Sequence, residues 1–182
     1  MTEREPEFDF TLLLDGADTI TPSLEDSLFQ AGCDDATISL RFGRIYLTFS
    51  RSAPSLKDAI LSAIKSVRDS GIPATVLRVD TCELVTQADI ARRIDRSRQL
   101  VNQYINGSRG PGGFPAPACN ITDGALLWNW CEVAHWLWEN NFIKKSDLKD
   151  AQDLTIINSV LELEHQRQRS PDLTKEIITA LC

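Results

Sequence analysis

The sequence predicts an α+β protein made of two folded units and a helical tail, and three observations carry that prediction. Across residues 8–79, strand-like and helix-like hydrophobic periods alternate in the order β-α-β-β-α-β. Residues 86–106 change to a compact helical pattern with one turn signal inside it, followed by a loop crowded with Gly and Pro and a second strand-turn-strand signal. Residues 146–166 then carry a long amphipathic period. At 182 residues the chain has room for two compact units. Hydrophobic residues make up 42% and charged residues 25%, ordinary globular values, so most of the chain is expected to fold.

Residues 8–14 (FDFTLLL) form an apolar, strand-like run that stops at Asp15-Gly16. Pro22-Ser23-Leu24-Glu25 opens a short helix with Leu24, Leu28 and Phe29 on one face and Gly32 as its stop. Thr37–Phe42 and Arg44–Ser50 alternate apolar and polar side chains around Gly43, a hairpin signal. A helix is expected from about Ser55 to Ser70, with Leu56, Ala59, Ile60, Ala63, Ile64 and Val67 as its stripe and Gly71 and Pro73 ending it. Ala74–Val79 is a final β-branched run. This order is the ferredoxin-like split βαβ arrangement, expected over residues 1–82, with residues 81–85 as a short connector.

Residues 86–106 read TQADIARRIDRSRQLVNQYIN and satisfy the demands of a helix-turn-helix. Two packed helices need a small residue where they meet, which is Ala91, and apolar side chains on both sides, which are Ile90, Ile94, Val101 and Tyr104. The turn needs a residue that tolerates the left-handed backbone. Asp95 stands four residues after Ala91 and accepts that conformation better than most. Ser97 is a natural N-cap for the second helix, 97–106. With Leu100, Val101 and Tyr104 inward, Arg98, Gln99, Asn102 and Gln103 point outward. These side chains suit major-groove edges, since Arg pairs bidentately with guanine and Asn or Gln with adenine. Arg92, Arg96 and Ser97 are placed for phosphates.

The segment RGPGGFPAPACNITDGALLWNWCEVAHWL resembles the second half of MerR-like and excisionase-like (AlpA-type) winged-helix domains. Phe114-Pro115-Ala116-Pro117 matches their loop motif and Asp123-Gly124 the tip of a hairpin wing. Trp128 or Trp130 matches the anchoring aromatic, and Glu132-Val133 with Trp136-Leu137 the packing helix. The resemblance covers residues 84–140, about a third of the chain. It implies a winged helix-turn-helix domain over 83–142, with Arg109 and the 109–130 wing on the backbone or minor groove. Cys131 stands where Ser, Thr or Asp would normally cap the packing helix, a loss of about 1 kcal/mol. The tryptophans read as core and interface residues, with Trp138 the one expected to be exposed.

The net charge of −7 is unevenly spread. Residues 1–80 carry 8 basic and 13 acidic side chains, and residues 115–182 carry 6 and 10. Residues 86–114 instead carry five arginines (Arg92, Arg93, Arg96, Arg98, Arg109) against Asp89 and Asp95. This local positive patch on an acidic chain is the charge pattern of a reader of double-stranded DNA. A sequence-specific regulator of bacterial type, a repressor or antitoxin-type autoregulator, is the function expected. The alternative is an adaptor or antitoxin whose main role is to bind a protein. The acidic first unit is read as a sensor or as a dimerisation or docking module, with interaction favoured because no ligand motif is visible. A homodimer is expected, since two half-sites raise selectivity.

Several classes are excluded. No P-loop, GxGxxG or GxSxG context occurs, and Gly110–Gly113 follows a helix and is interrupted by proline. His135 lies within the tryptophan-rich helix and His165 in a polar stretch, so neither sits beside a nucleophile; Asp34-Asp35 and Glu25-Asp26 read as a turn and a helix N-terminal charge. No catalytic residue, cofactor or metal site is expected. A zinc site from Cys119, Cys131 and His135 has looser spacing than structural zinc takes. The five cysteines are odd in number, without CxxC spacing, and no signal sequence or membrane-length apolar run is present, so reduced thiols and a cytoplasmic location are expected. The tail, residues 143–182, is expected as one helix at 146–166 with Leu148, Ala151, Leu154, Ile157, Val160 and Leu161 in register. It completes the core or forms a dimer seam, and a short helix restarts at Ser170-Pro171-Asp172.

Overall fold

The apolar run of Glu7–Asp15 forms a strand, β1, with Leu12, Leu13 and Leu14 all buried, and three further strands follow, β2 (Ala36–Arg41), β3 (Arg44–Ser52) and β4 (Thr75–Val79). A computed structural model of the chain describes residues 5–120, 124 and 126–181. Its architecture is α+β, with seven helices and two antiparallel sheets among the described residues. The chain folds into two compact units, residues 1–80 with 156–182 and residues 81–155. The expected tail is thus shared out between the two.

In the first unit the sheet order is β2-β3-β1-β4 and every neighbouring pair is antiparallel. Helix α1 (Pro22–Gln30) follows β1, and α2 (Leu56–Asp69) follows β3. Thr21 caps α1 by accepting from the Leu24 amide at 3.2 Å, and Ser55 caps α2 through the Asp58 amide at 3.2 Å. The inward residues Leu12, Leu14, Ile45, Leu47, Phe49, Ile60 and Val67 are fully buried, and Phe10 stacks on Phe49 at 5.2 Å. Phe29 corrects the expected apolar face of α1: it is 67% exposed, because only Leu24 and Leu28 of that helix turn to the core. Asp35, expected in a turn, also accepts a two-pronged bond from Arg51 at 2.6 and 2.7 Å, and the guanidinium lies 4.8 Å over Phe49. Beside this pair, burial pushes the Cys33 thiol up to about 11, only partly offset by the Arg51 charge.

The two tail helices are α6 (Lys145–Arg169) and α7 (Pro171–Leu181). The residues of α6 from Ile156 onward belong to the first unit. There Asn158, the only buried polar side chain of the described residues, accepts from the Val79 amide at 2.8 Å and donates to the Val79 carbonyl at 3.3 Å. These two bonds pair the backbone groups of Val79 on the edge strand β4. Val160, expected in the inward register of this helix, is instead exposed. The unit buries the arc of Ile157, Asn158 and Leu161, and at 100° per residue Val160 lies about 110° from the middle of that arc.

The β2–β3 turn places Phe42 at φ 52° and Gly43 at φ 73°, with Phe42 97% exposed. A left-handed phenylalanine gains nothing from burial here and carries the strain that Gly or Asn avoids. Phe42→Asn is therefore expected to stabilise the protein by about 0.5–1 kcal/mol, measured as a rise in urea midpoint at unchanged slope; no rise would show that the turn is unstrained.

Candidate nucleic-acid interface

The second unit opens with β5 (Leu84–Val85), which corrects the expectation of a plain connector at 81–85. Two residues are too short to show a period, but Val85 is fully buried and pairs with Trp128 of β7 (Leu126–Asn129). β7 also pairs with β6 (Cys119–Asn120), giving a sheet of order β5-β7-β6. The wing tip expected at Asp123-Gly124 includes Asp123, which lies outside the described residues; Gly124 has φ 79°.

Helices α3 (Gln87–Arg93) and α4 (Arg98–Ile105) form the expected tight pair. Thr86 and Asp89 build a capping box at the start of α3: the Asp89 amide donates to the Thr86 hydroxyl oxygen at 3.2 Å, and the Thr86 amide donates to Asp89 Oδ2 at 3.0 Å. The turn is a Schellman motif in which Asp95 takes the left-handed position at φ 50°. The Arg96 amide reaches the Ala91 carbonyl at 2.9 Å, and the Asp95 amide reaches that of Arg92 at 3.3 Å. Ser97 caps α4 through the Leu100 amide at 3.2 Å, which leaves its hydroxyl proton free to donate outward. Gln87 Nε2 donates to the Arg98 carbonyl at 2.8 Å, tying the start of α3 to the start of α4. Ile90, Ala91, Val101 and Tyr104 are buried together, with Ile94 and Leu100 packed against them.

This pairing brings Arg92, Arg96, Ser97, Arg98, Gln99 and Asn102 onto the surface of one short stretch, all exposed. Arg92 is held by Asp89 at 3.1 Å, and Arg96 donates to the Asp95 carbonyl at 3.1 Å. Arg96, Arg98 and Arg109 have no acidic partner among the described residues, so their charges face solvent uncompensated. Gln103 departs from the expected outward set. It is half-buried, and its carbonyl accepts from the Arg109 amide at 3.2 Å as the chain folds back after α4. Arg93, part of the counted positive patch, is exposed but its guanidinium is engaged, lying 4.6 Å over the Trp130 ring and donating to the Cys82 carbonyl at 2.7 Å. Partial desolvation against the ring lowers its pKa.

The Gly/Pro loop after α4 is fixed by aromatic side chains. The Trp136 indole donates to the Gly112 carbonyl at 2.9 Å, and the Trp128 indole to the Pro115 carbonyl at 3.1 Å. Phe114 sits edge-on between them, 4.9 Å from Trp136 and 6.3 Å from Trp128. At Gly110, φ is 88° and an added Cβ would stand 3.0 Å from the Tyr104 ring, so any other residue is strained there. Helix α5 (Trp130–Glu139) carries the second wall of this core. Its cap corrects the sequence reading. Asn129, not Cys131, is the N-cap, and it accepts from the Cys131 and Glu132 amides at 2.9 and 3.2 Å, so no capping energy is lost. Trp138, expected to be exposed, is half-buried against the cluster of Ala134, Leu148 and Ala151.

His135 faces Glu139 at 3.6 Å, and no group of three or more His, Cys, Asp or Glu that would hold a metal occurs among the described residues. No helix among them is long and apolar enough to cross a membrane. No protein-family model matches the chain, and neither does a curated protein or a solved structure.

The Thr86 hydroxyl and amide hold the Asp89 carboxyl below its usual range, with Arg92 adding a smaller pull. A carboxylate depressed in the fold stabilises above the unfolded value of about 3.9, and that contribution is lost as pH falls through the folded value. The second unit should therefore lose part of its stability on acidification below about pH 4, and Asp89→Asn should shrink that pH dependence. Denaturation midpoints compared between neutral and acid pH check this; an unchanged acid slope in the variant would rule the box out as its source.

Proposed function

We propose that the second unit is a winged helix-turn-helix that reads double-stranded DNA, with α4 in the major groove and the 109–130 segment on the backbone or minor groove. The observation that carries the reading is the surface of α4. Arg98, Gln99 and Asn102 are exposed on the second helix of a tightly turned pair, with no acidic partner at hand. These are side chains with donor and acceptor geometry for guanine and adenine edges. Arg92, Arg96, Ser97 and Arg109 supply phosphate contacts around them. The β5-β7-β6 sheet and the indole-pinned Gly112–Pro115 loop support the winged assignment. The antiparallel β2-β3-β1-β4 order supports a ferredoxin-like first unit. The protein so read is a sequence-specific regulator, and its biological role is control of transcription.

Selection of bound duplexes from a random pool tests this directly. The expected result is enrichment of a short A/G-containing motif, with affinity that weakens steeply between about 50 and 200 mM salt. Absence of any enrichment at low salt would sink the reading, and a chain that ignores DNA but holds a protein partner would favour the adaptor alternative.

A further inference from the structure

The apolar surface left exposed in the tail is concentrated on one side of α6 and α7. Ile156, Val160 and Leu163 of α6 and Leu173, Ile177 and Leu181 of α7 are each between 39 and 80% exposed. At 100° per residue the three from α6 fall within about 60° of one another, away from the side that the first unit buries. The chain bends at Ser170-Pro171, where the Thr174 hydroxyl reaches back to the Gln166 carbonyl at 3.2 Å, so each helix presents its own apolar stripe. The Ser170 amide bonds the Gln166 carbonyl at 2.9 Å, and the Thr174 amide bonds that of Ser170 at 2.9 Å. The exposed apolar residues recur at 156, 160 and 163 in α6 and at 173, 177 and 181 in α7, each set at the three- or four-residue spacing of one helix face.

Helix α7 buries none of its residues. At 11 residues it is shorter than the ~12–15 at which an isolated helix is even marginal in water, so its apolar side needs a covering surface to hold it. We infer that the α6–α7 face is where two copies of this chain associate. From their exposed fractions the six residues together present roughly 600 Å² of accessible surface, the same order as the ~800 Å² per partner of a standard interface. Charge favours a like copy as well. Residues 156–181 carry four acidic and three basic side chains, so the segment is nearly neutral on a chain of net charge −7. Two copies meet there without the repulsion that the acidic remainder would impose. A shared two-fold patch of this kind is the commonest way a soluble chain forms a dimer. The inference does not depend on DNA binding.

Sedimentation equilibrium of the full chain, over about 1 to 100 µM and without DNA, tests it. The expected result is twice the chain mass of 20.3 kDa. Leu173→Asp with Ile177→Asp, and separately Val160→Asp, should each weaken dimerisation about a hundredfold or more, with far-UV circular dichroism showing that the fold persists. Phe29→Asp, at an exposed apolar site outside this face, should leave the dimer intact. A wild-type monomer at every concentration overturns the inference. So does a dimer that survives the tail substitutions, or one that Phe29→Asp dissociates equally.

Discussion

Trp136→Ala is expected to destabilise the second unit by about 3–5 kcal/mol, the range for removing a large buried aromatic. Trp136 is 6% exposed and stands at the centre of the aromatic cluster, with ring centroids 5.5 Å from Tyr104, 4.9 Å from Phe114 and 5.7 Å from Phe142. Its indole also holds the Gly112 carbonyl, so truncation both opens a cavity and releases the loop that follows α4. Trp136→Phe keeps most of the ring but not the N–H donor, and should cost about 1–2 kcal/mol. The four tryptophans all lie at 128–138, within the second unit, so tryptophan fluorescence in a urea titration follows the unfolding of that unit. A loss below about 1 kcal/mol for the alanine variant would mean that the cluster is not what holds the loop.

Arg98→Ala combined with Asn102→Ala is expected to reduce discrimination between the selected duplex and a random one by about a hundredfold or more, at roughly 1–3 kcal/mol per good base contact. Arg96→Ala and Arg109→Ala should instead weaken all duplexes alike and lower the salt slope by about one each, as phosphate contacts do. Gln103→Ala should have a smaller effect on selectivity than Asn102→Ala, because Gln103 is half-buried while Asn102 is exposed. Fluorescence anisotropy with the two duplexes at several salt concentrations separates these classes. If the Arg98/Asn102 variant lost affinity equally for both duplexes, α4 would not be the reading element.

The α3–α4 pair was legible because each of its requirements is local. A left-handed turn residue, a cap and a small contact residue occupy fixed offsets, and Asp95, Ser97 and Ala91 fill them. The β-α-β-β-α-β order was legible for a similar reason, since strand and helix periods of 2 and 3.6 are written into the chain itself. The fate of Arg93 was not legible. It is exposed like Arg92, and only folding brings Trp130 and the Cys82 carbonyl to its guanidinium. Asn129 is the cap in place of Cys131 because the helix starts two residues earlier than expected, a shift below the resolution of a periodic pattern. The Thr86–Asp89 box did have a signal, a Thr followed three residues later by an acid.

Local pattern sufficed for most of the helices and strands (though not for β5), for the place of the main turn between helices, and for the gathering of positive charge at 86–114. Those properties depend on residues a few positions apart. Long-range packing settled which of the arginines and amides are engaged, that Gln103 is half-buried, that Val85 joins a sheet, and that the Gly/Pro loop is held by two indoles. It also left one side of α6 and α7 uncovered. Burial is a property of what long-range packing brings against a side chain, and a periodic pattern records which way a residue faces on its own helix, not whether anything lies opposite it.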